Sequence, residues 1–185
     1  YYNKPTQEGL YRHFMTIADA ISIPVILYNI PGRSVVDISV ETMARLARHA
    51  NITGVKDATA NLLRPLQLRQ ALDRPFNQLS GEDGTAVAFL ASGGDGCISV
   101  TANIAPGLCA NVQTAWQEGR VQDAMAIQDR LLPLHDAMFC ESNPAPAKYA
   151  ATAGPCGRDM SPASRPADRA LARKSPGSPC RDRSA

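Results

Sequence analysis

The sequence lacks the features that mark several classes of protein. No apolar run approaches the length of about 20 residues that crosses a bilayer. The five cysteines include no CxxC pair, and the three histidines are scattered, so neither residue type has the spacing of a metal site. An odd number of cysteines without such a pair is typical of a reducing compartment. We therefore predict a cytoplasmic protein that binds neither a metal ion nor a membrane.

The composition is that of a globular protein, with 44% hydrophobic and 19% charged residues. Within it, short apolar segments alternate with stretches of helical periodicity. The predicted strands are residues 24–28, 52–56, 78–81 and 97–100, and the predicted helices between them are residues 39–49, 61–72 and 84–90. Such an α/β alternation forms right-handed parallel units, in a doubly wound sheet or in a barrel. Polar residues follow several successive strands, which favours the barrel.

Lys56, at the end of the second predicted strand, is the strongest candidate for chemistry. An amine becomes a useful nucleophile near neutral pH when desolvation or a neighbouring cation lowers its pKa. Ile52 and Val55 make the strand apolar, and a pocket at the end of such a strand desolvates a lysine. We interpret Lys56 as a Schiff-base lysine. The alternative is a surface lysine whose stem packs along apolar neighbours.

Two residues near the end of the first strand have both a functional and a structural interpretation. Tyr28 is either a catalytic group or a core tyrosine with a satisfied hydroxyl. Arg33 is either a carboxylate ligand or an arginine of a surface turn. The residue types alone leave both alternatives open.

Two other motifs argue against further activities. Residues 93–96, Gly-Gly-Asp-Gly, precede a predicted strand, whereas nucleotide-binding loops follow a strand and open a helix. We therefore exclude a nucleotide site. Glu82 and Asp83 are adjacent, and adjacent strand residues point to opposite faces of the sheet. The two carboxylates therefore cannot act together on one substrate bond, which argues against a two-carboxylate mechanism. We predict that both carboxylates are solvated.

Several motifs, in order along residues 1 to about 150, carry a resemblance to a known family. They are YYNKP at 1–5, LYNIPGR at 27–33, GVKDAT at 54–59, LSG at 79–81, GGDGCISV at 93–100 and ESNPAPAK at 141–148. The resemblance is to the 4-hydroxy-tetrahydrodipicolinate synthase family, also called dihydrodipicolinate synthase. Its members are pyruvate-dependent lyases of the class I aldolase type on a (β/α)8 TIM barrel. They join pyruvate to aspartate-4-semialdehyde on the route to lysine.

The resemblance implies catalytic roles for three residues. Lys56 would form the imine with pyruvate, and Tyr28 would transfer protons during imine and enamine formation. Tyr2 would belong to the same relay and would reach across a dimer interface into the partner's site. No cofactor is implied beyond the covalent pyruvate imine on Lys56, because that imine is itself the electron sink.

Four further positions match the family's binding residues. Arg33 would hold the carboxylate of the semialdehyde, since a planar guanidinium pairs with a carboxylate through two hydrogen bonds. Gly81 and Ile98 would line the pyruvate pocket through backbone groups. Tyr1 matches a position at the allosteric lysine site of lysine-inhibited members. The family also implies a homo-oligomer, a tetramer built as a dimer of dimers.

The resemblance further implies a division of the chain. Residues 1–119 correspond to the second half of the barrel, with about four βα units, and residues 120–153 to a helical C-terminal extension. We expect this chain to be truncated and to lack the first half of the barrel, including a threonine pair that completes the tyrosine relay. Two exposed strand edges in such a half-barrel would favour self-association.

Residues 154–185 differ in composition from the rest of the chain. They contain five prolines, five serines, six arginines and one lysine against three aspartates, which gives a net charge of +4. A stretch so poor in aromatic and branched residues is predicted to form a disordered tail. We interpret it as the product of a shifted reading frame or of a sequencing artefact. The alternative is a genuine basic tail, but it has no interleaved aromatic residues, so we predict no nucleic-acid partner.

Three functions remain open from the sequence. The first is the synthase, and the second is a related Schiff-base lyase acting on a 2-keto sugar acid, such as an N-acetylneuraminate lyase. Arg33 favours the first, because it suits the carboxylate of a short substrate. The third is a non-catalytic barrel fragment, which would form no imine.

Overall fold

The computed structural model describes residues 2–153, and the chain divides into two compact units between residues 99 and 100. The strands, all in the first unit, are β1 Val25–Asn29, β2 Ile52–Asp57, β3 Asn77–Ser80 and β4 Gly96–Cys97. The helices of that unit are α1 Gln7–Ala20, α2 Pro31–Ser34, α3 Val40–Leu46, α4 Arg64–Ala71 and α5 Ala86–Ala91. The second unit contains the 3₁₀ turn Thr101–Asn103 and helices α6 Pro106–Gln117, α7 Val121–Met138 and α8 Ala145–Ala153. Tyr1 and the predicted tail, residues 154–185, lie outside the described residues.

The four strands form one parallel sheet in the order β1-β2-β3-β4. Each strand pairs with the next strand along the chain, so the order never reverses to create the switch point of a doubly wound sheet. Tyr28 lies opposite Lys56, and Lys56 lies opposite Leu79. The α/β class and the sequential, barrel-type strand order are therefore confirmed.

The fourth strand is shorter than predicted and begins earlier. The prediction was residues 97–100, whereas β4 contains only Gly96 and Cys97. The Ile98 backbone N–H still donates to the Ser80 carbonyl, at 2.8 Å. Val100 already has helical dihedral angles, φ −78° and ψ −42°, and precedes the 3₁₀ turn. The turn therefore ends the ladder, because a residue with helical angles cannot continue a strand.

The two predicted helix starts at Ser39 and Asn61 had different outcomes. The predicted start at Ser39 lies one residue before α3, and the Ser39 hydroxyl caps that helix by accepting a hydrogen bond from the Thr42 backbone N–H at 3.2 Å. The helix predicted to begin at Asn61 begins only at Arg64, so that start was wrong, although the Asn61 side-chain oxygen accepts from the Leu63 backbone N–H at 3.0 Å. Pro65 explains the later start, since proline is tolerated in the first turn of a helix but not further inside.

The core of the first unit lies between the sheet and helices α1, α3 and α4. Its fully buried members are apolar and come from strands, helices and one loop: Ala18, Leu27, Ile38, Met43, Leu46, Ile52, Val55 and Leu68. Leu27 and Val55 occupy alternate strand positions that point toward the helices. Burial of each large aliphatic side chain contributes about 1.5–3 kcal/mol to folding. This packing holds the carboxyl ends of β1 and β2 side by side.

The described part of the second unit consists of helices joined by turns. Gly119 has φ +74°, a conformation that favours glycine, and it follows the end of α6. The buried Thr101 hydroxyl lies 2.7 Å from Nδ1 of His135 on α7. Within residues 2–153, neither the 18-residue α7 nor any other helix is long and apolar enough to cross a membrane.

Candidate active site

The ends of β1 and β2 bring a lysine and a tyrosine together. Tyr28 and Lys56 are register partners on the sheet face that points away from the helices. The Lys56 Nζ lies 4.2 Å from the centroid of the Tyr28 ring, over its face. A cation over an aromatic face is attracted by the negative face of the ring. The contact restrains the amine at the carboxyl edge of the parallel sheet, where barrel enzymes perform their chemistry.

Gly81 lies directly beside the lysine side chain. Its backbone N–H donates to the Asp57 carbonyl at 2.6 Å, which draws the end of β3 against the end of β2. A Cβ atom at this position would lie 3.2 Å from Cε of Lys56 and 2.8 Å from Cβ of Ala58. The second distance is shorter than two carbon atoms tolerate. Only glycine therefore fits here without displacing its neighbours.

Ile98 is placed at the same edge of the sheet as Gly81. Its hydrogen bond to Ser80 continues the β3–β4 pairing by one residue, and its side chain is 41% exposed. The carboxyl ends of four neighbouring strands thus present Tyr28, Lys56, Gly81 and Ile98 in that order. The structure brings these four predicted residues to one edge.

Tyr2 and Arg33 stand apart from this group. Arg33 lies on the short helix α2 directly after β1 and is exposed, and Tyr2 is 84% exposed. Within residues 2–153, neither side chain takes part in a hydrogen bond or an ion pair. Tyr1, the predicted allosteric residue, lies outside the described residues. Both exposed side chains are therefore available to a substrate or to a second chain.

A cavity of about 400 Å³ borders Tyr28 on the side of α1. It is lined by α1, β1 and the loop after α2, and it includes His13 and Asn29. Lys56, Gly81 and Ile98 do not line it. The cavity therefore adjoins Tyr28 but is not the pocket that contains the Lys56 amine.

The residues that follow Tyr28 and Lys56 form a buried polar network that the sequence interpretation missed. Asn29 and Asp57 are 1% and 4% exposed, and the Asp57 carboxylate pairs with Nε of the buried Arg64 at 2.8 Å. Strand alternation could have revealed them, because polar residues one position after Tyr28 and Lys56 must point toward the helices. A polar side chain buried there requires a partner. The sequence did not show that Arg64 is that partner.

The prediction that Glu82 and Asp83 are solvated was wrong. Asp83 is only 3% exposed, and Glu82 is half-buried. Burial, aided by the neighbouring Asp83 carboxylate, raises the pKa of Glu82, while the positive charge of Lys56 partly opposes the rise. The physical reason is that β3 ends at Ser80, so these residues lie in the turn after it and not on a strand, and the Glu82 N–H donates to the Ser80 hydroxyl at 3.0 Å. Glu82 thus adds a carboxyl group near the lysine.

The donor set of the site is an amine, a phenol and backbone groups. Within the described residues, no three histidine, cysteine, aspartate or glutamate side chains lie close enough together to hold a metal ion. An amine next to a phenol can form an imine with a carbonyl compound and exchange protons with it. The arrangement therefore suits carbonyl chemistry through a covalent lysine adduct.

Comparison with known proteins places the chain among enzymes of one kind. The sequence profile of the Dihydrodipicolinate synthetase family matches residues 1–166. The chain is 76% identical over 153 residues to a 4-hydroxy-tetrahydrodipicolinate synthase of Gluconacetobacter diazotrophicus, which covers 82% of this chain and 52% of that protein. It is 71% identical over 150 residues to a synthase of the same name from Gluconobacter oxydans, with 81% and 50% covered. The chain thus spans about half the length of the curated relatives it matches.

Solved structures agree with the sequence comparison. A dihydrodipicolinate synthase from Aquifex aeolicus superimposes with a TM-score of 0.81 at 39% identity, covering 92% of this chain and 61% of that one. A chloride-inhibited synthase from Acinetobacter baumannii, solved with pyruvate, gives a TM-score of 0.79 at 42% identity, covering 93% and 61%. This likeness confirms the predicted C-terminal part of a (β/α)8 barrel. The matches to these relatives span 150–153 residues, which agrees with a resemblance along residues 1 to about 150, and the family profile continues to residue 166.

Proposed function

The chain belongs to the dihydrodipicolinate synthetase family, and we propose that it carries the lysine-bearing half of a 4-hydroxy-tetrahydrodipicolinate synthase site. The substrates in this proposal are pyruvate and aspartate-4-semialdehyde. The observation that carries it is the Lys56 amine held over the Tyr28 ring at the carboxyl edge of a parallel sheet. The relatives' names and the pyruvate bound to the Acinetobacter baumannii structure support the choice of substrates.

The reaction begins with covalent capture of pyruvate. The Lys56 amine attacks the keto carbon, water leaves, and an imine forms. Loss of a proton from the methyl carbon gives an enamine, with the nitrogen taking up the electrons. The enamine carbon then attacks the aldehyde of the second substrate. The amino group of the semialdehyde then attacks the imine carbon, which closes the ring and releases Lys56. The net products are the cyclic hydroxy acid and water.

The other predicted residues act around this lysine. Tyr28 transfers protons as the imine and enamine form, and its ring restrains the amine. Gly81 and Ile98 border the pyruvate, because their backbone groups lie at the same sheet edge. Arg33, exposed after β1, pairs with the carboxylate of the semialdehyde. No cofactor takes part in this scheme.

The proposal extends to the assembly. Tyr2 is exposed and makes no side-chain hydrogen bond within residues 2–153, and it completes the relay in the site of a second chain. Tyr1 belongs to a site for lysine as an inhibitor. The enzyme is a homotetramer in the cytoplasm, in keeping with a biosynthetic role.

Trapping of the imine tests the proposal. The purified chain is incubated with pyruvate and borohydride, and its intact mass and peptide map are recorded. A pyruvate-sized adduct is expected on Lys56, and the variant Lys56→Arg is expected to abolish it. Lys148→Arg is the matched control, since Lys148 is an exposed lysine on α8, and this variant is expected to leave the adduct unchanged. Absence of any adduct on the parent chain would favour the non-catalytic fragment.

A further inference from the structure

Arg64 is a buried, multiply hydrogen-bonded side chain near the site, although it touches none of the reacting groups. It opens α4, and its side chain is 5% exposed. Its Nε donates to Asp57 at 2.8 Å, one terminal nitrogen donates to Asp37 at 3.0 Å, and the other donates to the Ile38 carbonyl at 2.6 Å. A single guanidinium thus satisfies three acceptors in three directions.

These acceptors belong to the exits of two different strands. Asp57 is the last residue of β2 and directly follows Lys56. Asp37 and Ile38 lie in the loop that leaves β1 by way of α2, which carries Arg33. The bonds of Arg64 therefore join the segment that holds the lysine to the segment that holds the arginine.

Asn29 strengthens the β1 side of this connection. Its amide nitrogen donates to the Asp37 carboxylate at 2.7 Å, and its amide oxygen accepts from the Ile38 backbone N–H at 3.1 Å. Asn29 is buried and directly follows Tyr28. The loop residues that Arg64 holds are thus also fixed to the strand that carries the tyrosine.

The loops on both sides of the connection contain unfavourable backbone. Val35 has φ 68° and Ala60 has φ 57°, in the left-handed region that residues with a Cβ rarely adopt. The Asp57 carboxylate accepts from the Thr59 backbone N–H at 3.0 Å, one residue before Ala60. Such conformations persist where surrounding bonds determine them, and they concentrate at functional sites.

We infer that Arg64 is a positioning residue that couples the lysine segment at the end of β2 to the arginine segment after β1. The inference rests on the proposed function for the chemistry of the two segments. Lys56 and Asp57 are neighbours on opposite faces of β2, so the hold of Arg64 on Asp57 sets the direction in which the Lys56 stem leaves the strand. Its hold on Asp37 and Ile38 sets how far the Arg33 turn lies from that amine.

The geometry explains why an arginine occupies this position. Its planar fork presents five N–H donors in fixed directions, whereas lysine offers a compact ammonium group on a flexible stem. A lysine at position 64 keeps the charge but cannot reach Asp57, Asp37 and the Ile38 carbonyl together. The variant Arg64→Lys therefore removes the coupling with the least change in charge.

The first test compares Arg64→Lys with Arg74→Lys in the 185-residue chain. Arg74 is a matched control, because it also donates to two backbone carbonyls, those of Ala47 and His49, away from Lys56. Both variants are assayed for borohydride-trapped pyruvate at a temperature where each is folded. Arg64→Lys is expected to slow adduct formation on Lys56 about 10-fold, while Arg74→Lys keeps the parent rate. Equal rates in the parent and Arg64→Lys, or equal losses in both variants, would overturn the inference.

The second test is independent of pyruvate chemistry. Amide hydrogen exchange is measured for residues 33–38 and 57–61 in the parent and in Arg64→Lys. Exchange is expected to rise in both segments together, and a rise in only one segment, or in neither, would contradict the coupling. If the parent forms no adduct, the proposed function fails, and this exchange measurement still decides the role of Arg64. If Arg64→Lys does not fold, Asp37→Asn replaces it, with faster exchange at residues 57–61 as the expected result.

Discussion

The two faces of the sheet differ sharply at the ends of β1 and β2. On the face away from the helices, Tyr28 is 47% exposed and the Lys56 amine lies over its ring. On the helix face, the next residues, Asn29 and Asp57, are almost fully buried and hydrogen-bonded. One step along each strand therefore separates a side chain that can react from a side chain that holds the backbone in place.

This difference shows how the fold reconciles two requirements. An amine that is to bind a substrate needs open space around its nitrogen, whereas the strand that carries it must be held in place. Strand alternation meets both requirements in adjacent residues, because successive side chains point to opposite faces. Changes on the helix face are thus expected to alter stability first, and changes on the open face to alter chemistry first.

Replacement of Asp57 by Asn is expected to have the largest effect on stability. The amide leaves the half-exposed Asp37 carboxylate to compensate the buried Arg64 guanidinium, and removal of the buried partner of such an ion pair costs about 3 kcal/mol. Urea unfolding of Asp57→Asn and the parent measures the difference. Glu8→Gln is the control, because Glu8 pairs with two arginines but is exposed, and it is expected to shift the midpoint far less. Equal shifts in both variants would remove the distinction between the buried and exposed pairs.

Replacement of Gly81 by Ala is expected to affect both faces at once. The new methyl group would press on Ala58 and on Cε of Lys56, and overpacking of this kind costs about 1–3 kcal/mol. We expect a loss of stability in that range and roughly 10-fold slower imine trapping, since about 1.4 kcal/mol in a barrier is tenfold in rate. Gly84→Ala is the control, because a Cβ there meets no atom within 4 Å. Parent-like trapping by Gly81→Ala would show that the contact with Lys56 does not matter.

Replacement of Glu82 by Gln is expected to have the smallest effect, and one that depends on pH. Burial raises the pKa of Glu82 above its ordinary value of 4.5, so the folded chain holds this proton more tightly than the unfolded chain. Its favourable contribution is therefore complete below about pH 4.5 and is lost as the pH rises through the higher folded value. Glu82→Gln is expected to be more stable than the parent by roughly 0.5 kcal/mol at pH 7, because solvent screens a half-buried group. At pH 4 the two are expected to be equal.

Urea unfolding at both pH values checks this prediction, with Glu41→Gln as a control of opposite sign. Hydrogen bonds from its own backbone N–H and from Ser39 lower the pKa of Glu41. Its contribution is present above the unfolded pKa and lost as the pH falls through the folded one, so Glu41→Gln is expected to lose stability at pH 7. A Glu82→Gln variant that is also less stable at pH 7 would contradict the assigned cause.

Much of the fold could be predicted from local patterns, and the predictions that were wrong have specific causes. The first three strands lie within a residue or two of their predicted ends, because apolar runs between turn residues are a local signal. The last strand was predicted to run too far, because Ile98 and Val100 are β-branched residues typical of strands, while a 3₁₀ turn in fact follows. The start of α4 was predicted too early because asparagine is a common N-cap residue. Pro65 is tolerated only in the first turn of a helix, which agrees with the observed start at Arg64.

The candidate site was predicted unevenly. The motifs around Lys56 and Tyr28 identified two residues that the structure then placed 4.2 Å apart, from the amine to the ring centroid. Nothing in the motifs indicated that Arg64 pairs with Asp57, or that Asp83 is buried. Those facts depend on which helix packs against which strand, and a pattern of residue types does not contain that information.

The sequence by itself determined the alternation of strands and helices, the parallel order of the sheet and the pair of residues suited to carbonyl chemistry. These features follow from interactions between residues close together in the chain. The spacing of apolar residues, the turn residues and the alternation of side chains along a strand all report such interactions. Only the tertiary structure decided that Gly81 leaves room for the Lys56 stem and that Arg64 joins two strand exits. Such contacts link segments far apart in the chain, and their geometry exists only after the core has packed.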